Sequence, residues 1–374
     1  MRLRLAILLL AFSAFAAACM WDRDTLAEEA KRGKMDVLYV LVGRFERNPP
    51  LYFQMRLERV AKEIEQDPTK LNLYHDAGVA SDRLSKHSDA IVWMERKEVA
   101  MKKGSPSDDD RYRYHANLGT FYAHRWSDKK AGEAQAGDLD KGIDHLKKAI
   151  QINPNAHFGR EKYQLAILEW TQNTSKEPRK FRPGLSPLSE YLLSNDLFGR
   201  EHYDEAITGL AGLIHLGNAW ESVDVFAALS DALGYKRDGA LAEAGAARVN
   251  ELLAAGKKPI VPWIIKERYW VMSHSEESVK KNTLSEVARL REKADEWHKA
   301  RTDFMNEKMK AGKHPDTDPD FWNGFEEKPM EVRDLPFWKK PSFMPGRIYA
   351  PILLVVLGIP ACLIAVRLMR KSRV

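Results

Sequence analysis

Cysteine is almost absent from this chain, which contains two in 374 residues. Cys19 lies near the start and Cys362 near the end, each in an apolar segment, so the long middle of the chain contains none. That middle therefore has no disulfide, no thiol nucleophile, no cysteine-based zinc site and no Cys-x-x-Cys-His haem attachment.

The chain also lacks a charge imbalance that would mark a ligand. It has 59 Lys and Arg against 53 Asp and Glu. Without the six basic residues that flank the two apolar ends, the chain has as many basic as acidic residues. These six are Arg2, Arg4, Arg367, Arg370, Lys371 and Arg373. Nucleic-acid binding needs a net basic face, so no nucleic-acid partner is expected.

Sequence signatures of catalysis are missing as well. The chain has no glycine-rich phosphate loop, no Gly-x-Ser-x-Gly elbow and no His-Glu-x-x-His motif. His115 and His124 are not spaced as metal ligands on one helix face. The acidic run 108–110 is interpreted as a helix cap and dipole complement rather than a cation site. The sequence thus predicts no enzyme activity, no cofactor and no metal.

Residues 1–19 are predicted to form a secretory signal. Arg2 and Arg4 precede an uncharged apolar run that ends in three alanines before Cys19. This ending resembles a lipoprotein signal, in which Cys19 is the acylated first residue, although Ala16 stands where that family usually has Leu. Lipidation at Cys19, cleavage without lipidation and an uncleaved signal anchor stay open. Each places the long middle of the chain outside the cytoplasm, and the lack of disulfides favours a bacterial periplasm.

The other end of the chain predicts a single transmembrane helix. Residues 348–366 carry no charge, and as a helix they would extend about 28 Å, close to the thickness of the hydrocarbon core. The basic tail 367–374 is expected in the cytoplasm and argues against a buried core helix. Residues 313–347, rich in Pro and aromatics, are predicted to be a juxtamembrane tether. The protein is thus expected in the cell membrane, with most of its chain in the periplasm.

A repeat pattern between Tyr114 and Trp170 organises the middle of the chain. Apolar residues at three- and four-residue spacing predict two short amphipathic helices, and Pro154 is expected to end the second. On the pattern of a large residue, Leu-Gly, Tyr, a small residue, a large one and a closing Pro, the matches are His115, Leu118, Gly119, Tyr122, Gly142, Leu146 and Pro154. The chain therefore resembles a membrane-anchored bacterial tetratricopeptide-repeat protein. The resemblance implies an all-α solenoid of stacked helix pairs.

The pattern also divides the chain into blocks. The small residue that opens the second helix of a pair recurs at Ala90, Gly142, Ala206 and Ala240, the last two separated by the family period of about 34 residues. The predicted order is N-terminal helices 20–66, a first repeat block 67–170, a Pro-rich linker 171–187, a second block 188–256 and a long helical segment 257–312. The apolar seam of that last segment is expected to pack on the last repeat; its members are Val287, Leu290, Ala294, Trp297 and Phe304.

The family resemblance implies a concave groove that binds a peptide. The first helix of each pair lines that groove, so the expected peptide-binding residues are Arg113, Asn117, Thr120, His124, Arg160 and Gln164. Their donors suit an acidic peptide or a terminal carboxylate. The match to the family's carboxylate clamp is partial, because Asp76 stands where a second clamp would have Asn. Solvated charges on an exposed face are the alternative interpretation.

Two classes of function remain open. The first is a membrane-tethered extracytoplasmic scaffold that assembles envelope proteins through protein or peptide contacts. The second is a catalytic or non-catalytic subunit of an envelope enzyme or transport complex. Clustered titratable groups with strongly perturbed pKa values in a pocket would favour the second class, whereas an open groove without them would favour the first.

The topology can be tested directly. Protease added to intact spheroplasts is expected to digest residues 20–346 and to spare a tag placed after Val374, because basic residues flank both apolar ends on their outer sides. Digestion of that tag in sealed cells would contradict the predicted orientation.

Overall fold

A computed structural model gives the structure of the chain and describes residues 20, 22–24, 36–128, 131–154, 159–174, 184–217, 219–260 and 277–333. In these residues all regular structure is helical, which confirms the predicted all-α class. The helices are α1 Val37–Val42, α2 Pro50–Gln66, α3 Leu71–Arg83, α4 His87–Lys102, α5 Asp108–Ser127, α6 Asp138–Ile152, α7 Arg160–Thr174, α8 Pro187–Ser194, α9 Tyr203–His215, α10 Val223–Tyr235, α11 Gly239–Ala254 and α12 Glu277–Lys310, with a 3-10 helix at Ala219–Glu221.

The chain divides into two compact units, Met1–Val332 and Arg333–Val374. The second lies almost entirely outside the described residues, as do the predicted signal 1–19, the predicted span 348–366 and the basic tail. Among the helices that the structure describes, none has the length and apolar character needed to cross a membrane. The predicted linker is shorter at both ends, because α7 continues to Thr174 and α8 begins at Pro187.

Local sequence sets the helix ends where it was expected to. Ser107 caps α5 by accepting from the backbone N–H of Asp110, whose carboxylate accepts in return from Ser107. The run 108–110 therefore lies in the first turn, where its charges complement the helix dipole as predicted, but the cap itself is Ser107. Helix α6 ends at Ile152, just before Asn153 and Pro154.

Successive helices pack against one another through small residues. Helices α3 and α4 form one such pair, and α5 and α6 another, with α3 also contacting α5. A Cβ atom built on Gly119 would lie 2.7 Å from Cγ of Leu146 and 3.1 Å from the carbonyl oxygen of Gly142. The glycines therefore let α5 and α6 approach closely. All four small residues at the predicted repeat positions are buried: Ala90, Gly142, Ala206 and Ala240.

The long helix α12 returns the chain to its beginning. Val287, Leu290 and Ala294 are buried and α12 packs on α11, in agreement with part of the predicted seam. Phe304 of the same seam instead packs against an apolar cluster with residues of α2 and α3. Helix α12 also packs on α1 and α2, and α1 in turn contacts α9 and α11. The N-terminal helices therefore touch both the second block and the C-terminal helix.

A network of ion pairs around the fully buried Arg56 of α2 links the start of the described chain to the segment after α12. Its guanidinium donates to Asp316 at 2.6 and 2.8 Å and to Asp24 at 2.8 and 2.9 Å. It also donates to Asp22 at 3.2 Å, while Arg59 donates to Asp316 at 2.6 Å. Residues 22–24, which lie just after the predicted signal, and Asp316, which lies beyond α12, are thus held by one side chain.

The beginning of the predicted tether belongs to the folded body. Phe321 is completely buried in an apolar cluster with residues of α2, α3 and α12: Tyr52, Phe53, Ala80, Met305 and Met309. Nε2 of His314 donates to the backbone oxygen of Tyr52 at 3.0 Å. The prediction of a tether is therefore wrong for the segment that contains His314 and Phe321. Its aromatic residues have no helical period, but they pack on the apolar faces of helices. Residues 334–347 lie outside the described residues.

Neutralising Asp316 is expected to destabilise the protein. Asp316→Asn leaves Arg56 and Arg59 without one carboxylate, and we expect a loss of roughly 3 kcal/mol in the free energy of unfolding at pH 7. Bonding to Arg56 outweighs burial and lowers the pKa of Asp316 to about 2. The advantage of the wild type should therefore be present above pH 4 and shrink as the pH falls toward 2. Asp318→Asn, which alters a surface pair with Lys313 at 3.4 Å, should have little effect. Equal losses from both variants in urea denaturation would contradict the role of the network.

Candidate functional site in the polar interior of helices α3 to α5

A buried carboxylate joins the ends of three helices. Oδ1 of Asp82, at the end of α3, lies 2.8 Å from Nδ1 of His87 at the start of α4. Its Oδ2 lies 2.7 Å from Nδ1 of His124 near the end of α5. An ionised carboxylate can only accept hydrogen bonds, so both Nδ1 atoms carry a hydrogen and donate. Nε2 of His87 lies a further 3.2 Å from Oδ2 of Asp128.

The surroundings of Asp82 and His87 favour the ionised form of both side chains. Burial would raise the pKa of Asp82, but the charge of His124 and the hydrogen bonds from both histidines hold it well below its usual value. Burial would lower the pKa of His87, but Asp82 and Asp128 outweigh it and raise the pKa to about 9. At neutral pH the site therefore contains an imidazolium between two carboxylates.

The same three side chains have the composition of a metal site. One ligand atom from each of Asp82, His87 and His124 lies within 4.8 Å of the others, and all three residues are buried. Ligands of a tetrahedral zinc ion lie about 3.3 Å apart, given bonds of about 2.0 Å. The carboxylate–imidazole contacts of 2.7 and 2.8 Å are shorter and fit hydrogen bonds. The geometry is therefore that of a hydrogen-bonded clamp between helix ends.

A second buried cluster lies about two to three turns away along the same helices. The side chain of Lys97 on α4 is completely buried, and its Nζ contacts Nε2 of His75 on α3 and lies 3.4 Å from Oδ1 of Asp110. The amide nitrogen of Asn117 lies 3.0 Å from Nδ1 of the same His75. Burial lowers the pKa of Lys97 to about 8 against the opposing charge of Asp110. Burial and then the charge of Lys97 lower the pKa of His75 well below its usual value.

Further polar pairs join α5 to its other neighbours. Nε2 of Gln164 on α7 donates to Oγ1 of Thr120 at 3.0 Å. His115 and His145 face each other across α5 and α6 with their Nδ1 atoms 2.9 Å apart. Burial lowers the pKa of each of these histidines to about 4, so the pair is neutral at physiological pH.

The structure brings the predicted groove residues together, but in the interior. Five of the six have exposed fractions of 3% or less: Asn117, Thr120, His124, Arg160 and Gln164. Arg113 keeps partial exposure and pairs with Asp109 at 2.6 Å. The expectation of an exposed strip is therefore wrong, because His75 and Asp82 of α3 and Gln164 of α7 contact the polar side chains on this face of α5. Peptide binding by these residues stays a prediction.

Sequence reasoning missed most of the residues that meet here. His75, Asp82, His87 and Lys97 carry no motif, and Asp82 lies 42 residues from its partner His124. One signal was present in the sequence, because the polar residues among 73–82 do not fall on one side of a helix. In the structure all ten residues are buried. A helix without a solvated face requires an internal partner for each polar group.

The charged state of His87 makes a pH-dependent contribution to stability. A pKa raised from about 6.5 in the unfolded chain to about 9 in the folded chain stabilises the fold below pH 6.5, and this contribution disappears as the pH rises through 9. Urea denaturation between pH 6 and 10 should therefore show the wild type losing roughly 2 kcal/mol relative to His87→Gln. His202→Gln, at a partly exposed site, serves as the control and should run parallel to the wild type. Parallel curves for His87→Gln would contradict the clamp.

The comparisons with known proteins found no relative of this chain. No protein-family model, no curated protein and no solved structure matches the chain. The resemblance to tetratricopeptide repeats therefore rests on the sequence pattern alone.

Proposed function

We propose that this protein is a membrane-tethered extracytoplasmic scaffold of the tetratricopeptide type, which assembles envelope proteins by protein–protein contact. The predicted signal at residues 1–19, the predicted span at 348–366 and the basic tail support the tethered topology. The packing of successive helices in the described residues supports the helix-pair architecture. The cell membrane and periplasm are the expected location.

The observation that carries the proposal is the outer face of α4. Val92 and Val99 are 49% and 53% exposed and lie seven residues apart, so they share one side of the helix. Arg96 lies between them, with its guanidinium carbon 4.1 Å from the ring centroid of Trp93. Exposed apolar residues beside an arginine and an aromatic ring are typical of protein interfaces. The opposite face of α4 is fully used, since Ile91, Met94 and Lys97 are buried.

The burial of the predicted groove points to the same outer surface. Asn117, Thr120 and Gln164 already have partners or contacts inside the helix stack. A partner would have to separate α5 from α3 and α7 to reach them. Docking on α4 needs no such opening, so we place the partner contact there.

The second candidate function, a subunit of an envelope enzyme or transport complex, is favoured by one observation. The clusters around Asp82 and Lys97 contain titratable groups with strongly shifted pKa values, which is common at active sites. Against this, Asp82, His87, His124 and Lys97 are each exposed by 4% or less. Buried and mutually paired groups explain helix packing more directly than access to a substrate.

Site-specific crosslinking tests the scaffold. A photoreactive residue in place of Val92 or Val99 of the full-length protein should form a discrete adduct with an envelope protein in native membranes. The same residue at Lys62, exposed on α2, should not. Val99→Lys should abolish the adduct formed at position 92 and leave thermal melting unchanged, because it alters only an exposed position. Adducts of equal yield at position 62, or none at 92 and 99, would refute docking on α4.

A further inference from the structure

Three arginines from separate parts of the chain surround the ring of Trp220. Their guanidinium carbons lie 4.0, 4.8 and 4.9 Å from its centroid, for Arg248 of α11, Arg291 of α12 and Arg47 of the segment before α2. The backbone at Gly43 packs against the same ring, since a Cβ there would lie 2.6 Å from it. Gly43 has φ +80°, a conformation that glycine adopts without strain.

Carboxylates of the described residues form ion pairs with only two of the three arginines, although the charge of Asp295 also acts on Arg47. Glu251 lies 3.0 Å from Nη1 of Arg248 and 3.3 Å from Nε of Arg291. Asp295 lies 3.9 Å from Nη2 of Arg291. Arg47 makes ring contacts with Trp220 and Phe45, but it has no hydrogen bond or ion pair with the part of the chain that the structure describes. The charge of Glu221 also acts on Arg47 and Arg248, but its carboxylate is paired with Lys257 at 2.6 Å. Among the described residues, four positive charges therefore meet three negative ones.

Hydrogen-bond donors are also left over. Nε of Arg47 and Nε of Arg248 are buried atoms without an acceptor among the described residues. Buried donors in folded proteins nearly always have one. Burial lowers the pKa of Arg47 to about 10, and the charges of Arg291 and Arg248 act in the same direction against that of Asp295. Among the described residues, the cluster is thus short of one negative charge and of hydrogen-bond acceptors.

We propose that Arg47 and Arg248, braced by Trp220, bind a carboxylate group. A carboxylate carries the single negative charge that the cluster lacks, and its two coplanar oxygens match the planar fork of a guanidinium. A phosphate dianion would exceed the missing charge. The group belongs either to a small carboxylic acid or to an acidic residue of a protein. The site lies away from α4, so this inference does not depend on the proposed function.

The variant Arg47→Gln separates the effect of Arg47 on stability from its effect on carboxylate binding. In the absence of ligand it should be about as stable as the wild type, because the relief of repulsion from Arg248 and Arg291 offsets the loss of the ring contacts with Trp220 and Phe45. Its affinity for carboxylate should fall about tenfold or more, the effect expected for one charge-assisted contact. The matched control is Arg289→Gln on α12. The guanidinium of Arg289 is already paired with Glu286 at 2.6 and 2.9 Å. This control should bind like the wild type.

Calorimetric titration of the full-length protein in detergent provides the test. Acetate and succinate should bind the wild type at constant ionic strength, chloride should not, and inorganic phosphate should bind more weakly than acetate. A peptide with a glutamate side chain that binds more tightly than acetate would assign the group to a protein, and equal affinity would assign it to a small acid. Absence of acetate binding, equal binding by phosphate, or unchanged binding in Arg47→Gln would overturn the proposal.

Discussion

The fold depends on one requirement: the guanidinium of Arg56 has no exposed surface and must be neutralised inside the protein. It takes its carboxylates from residues 22–24 and from Asp316, which lie on either side of almost all the described helices. Removing one partner of a buried ion pair leaves an uncompensated charge, which costs far more than a surface pair contributes. The two ends of the described chain are therefore held together, and α12 is drawn back over α1 and α2.

The same requirement recurs between α3, α4 and α5. Asp82 is shared by two histidines, and Lys97 lies against His75 in a space without solvent. Satisfied polar networks in a protein interior fix the relative position of the helices that contribute to them. They also occupy the surface that a peptide groove would need. The contacts that we propose with other proteins are therefore assigned to outer faces such as that of Val92 and Val99.

The cluster around Trp220 differs from these two in one respect. At Arg56 and at Asp82 the opposite charges are present within the fold, and the groups act on stability. At Arg47 a charge and a donor stay without a partner among the described residues. Incomplete pairing distinguishes a site that can accept a ligand from one that only holds helices together. This contrast is the reason for placing the carboxylate site at Trp220 rather than among the more strongly buried clusters.

The sequence by itself determined the features that depend on neighbours within a turn or two of helix. The all-α class, the acidic first turn of α5, the end of α6 before Pro154 and the close approach at Gly119 all arise from local spacing and residue size. Only the tertiary structure decided which charges meet. Arg56 and Asp316 lie 260 residues apart, and an aspartate carries no mark of the arginine it will pair with. Complementary charge has no period along the chain, so the groove residues that seemed exposed on one helix were covered by helices that the sequence could not place against it.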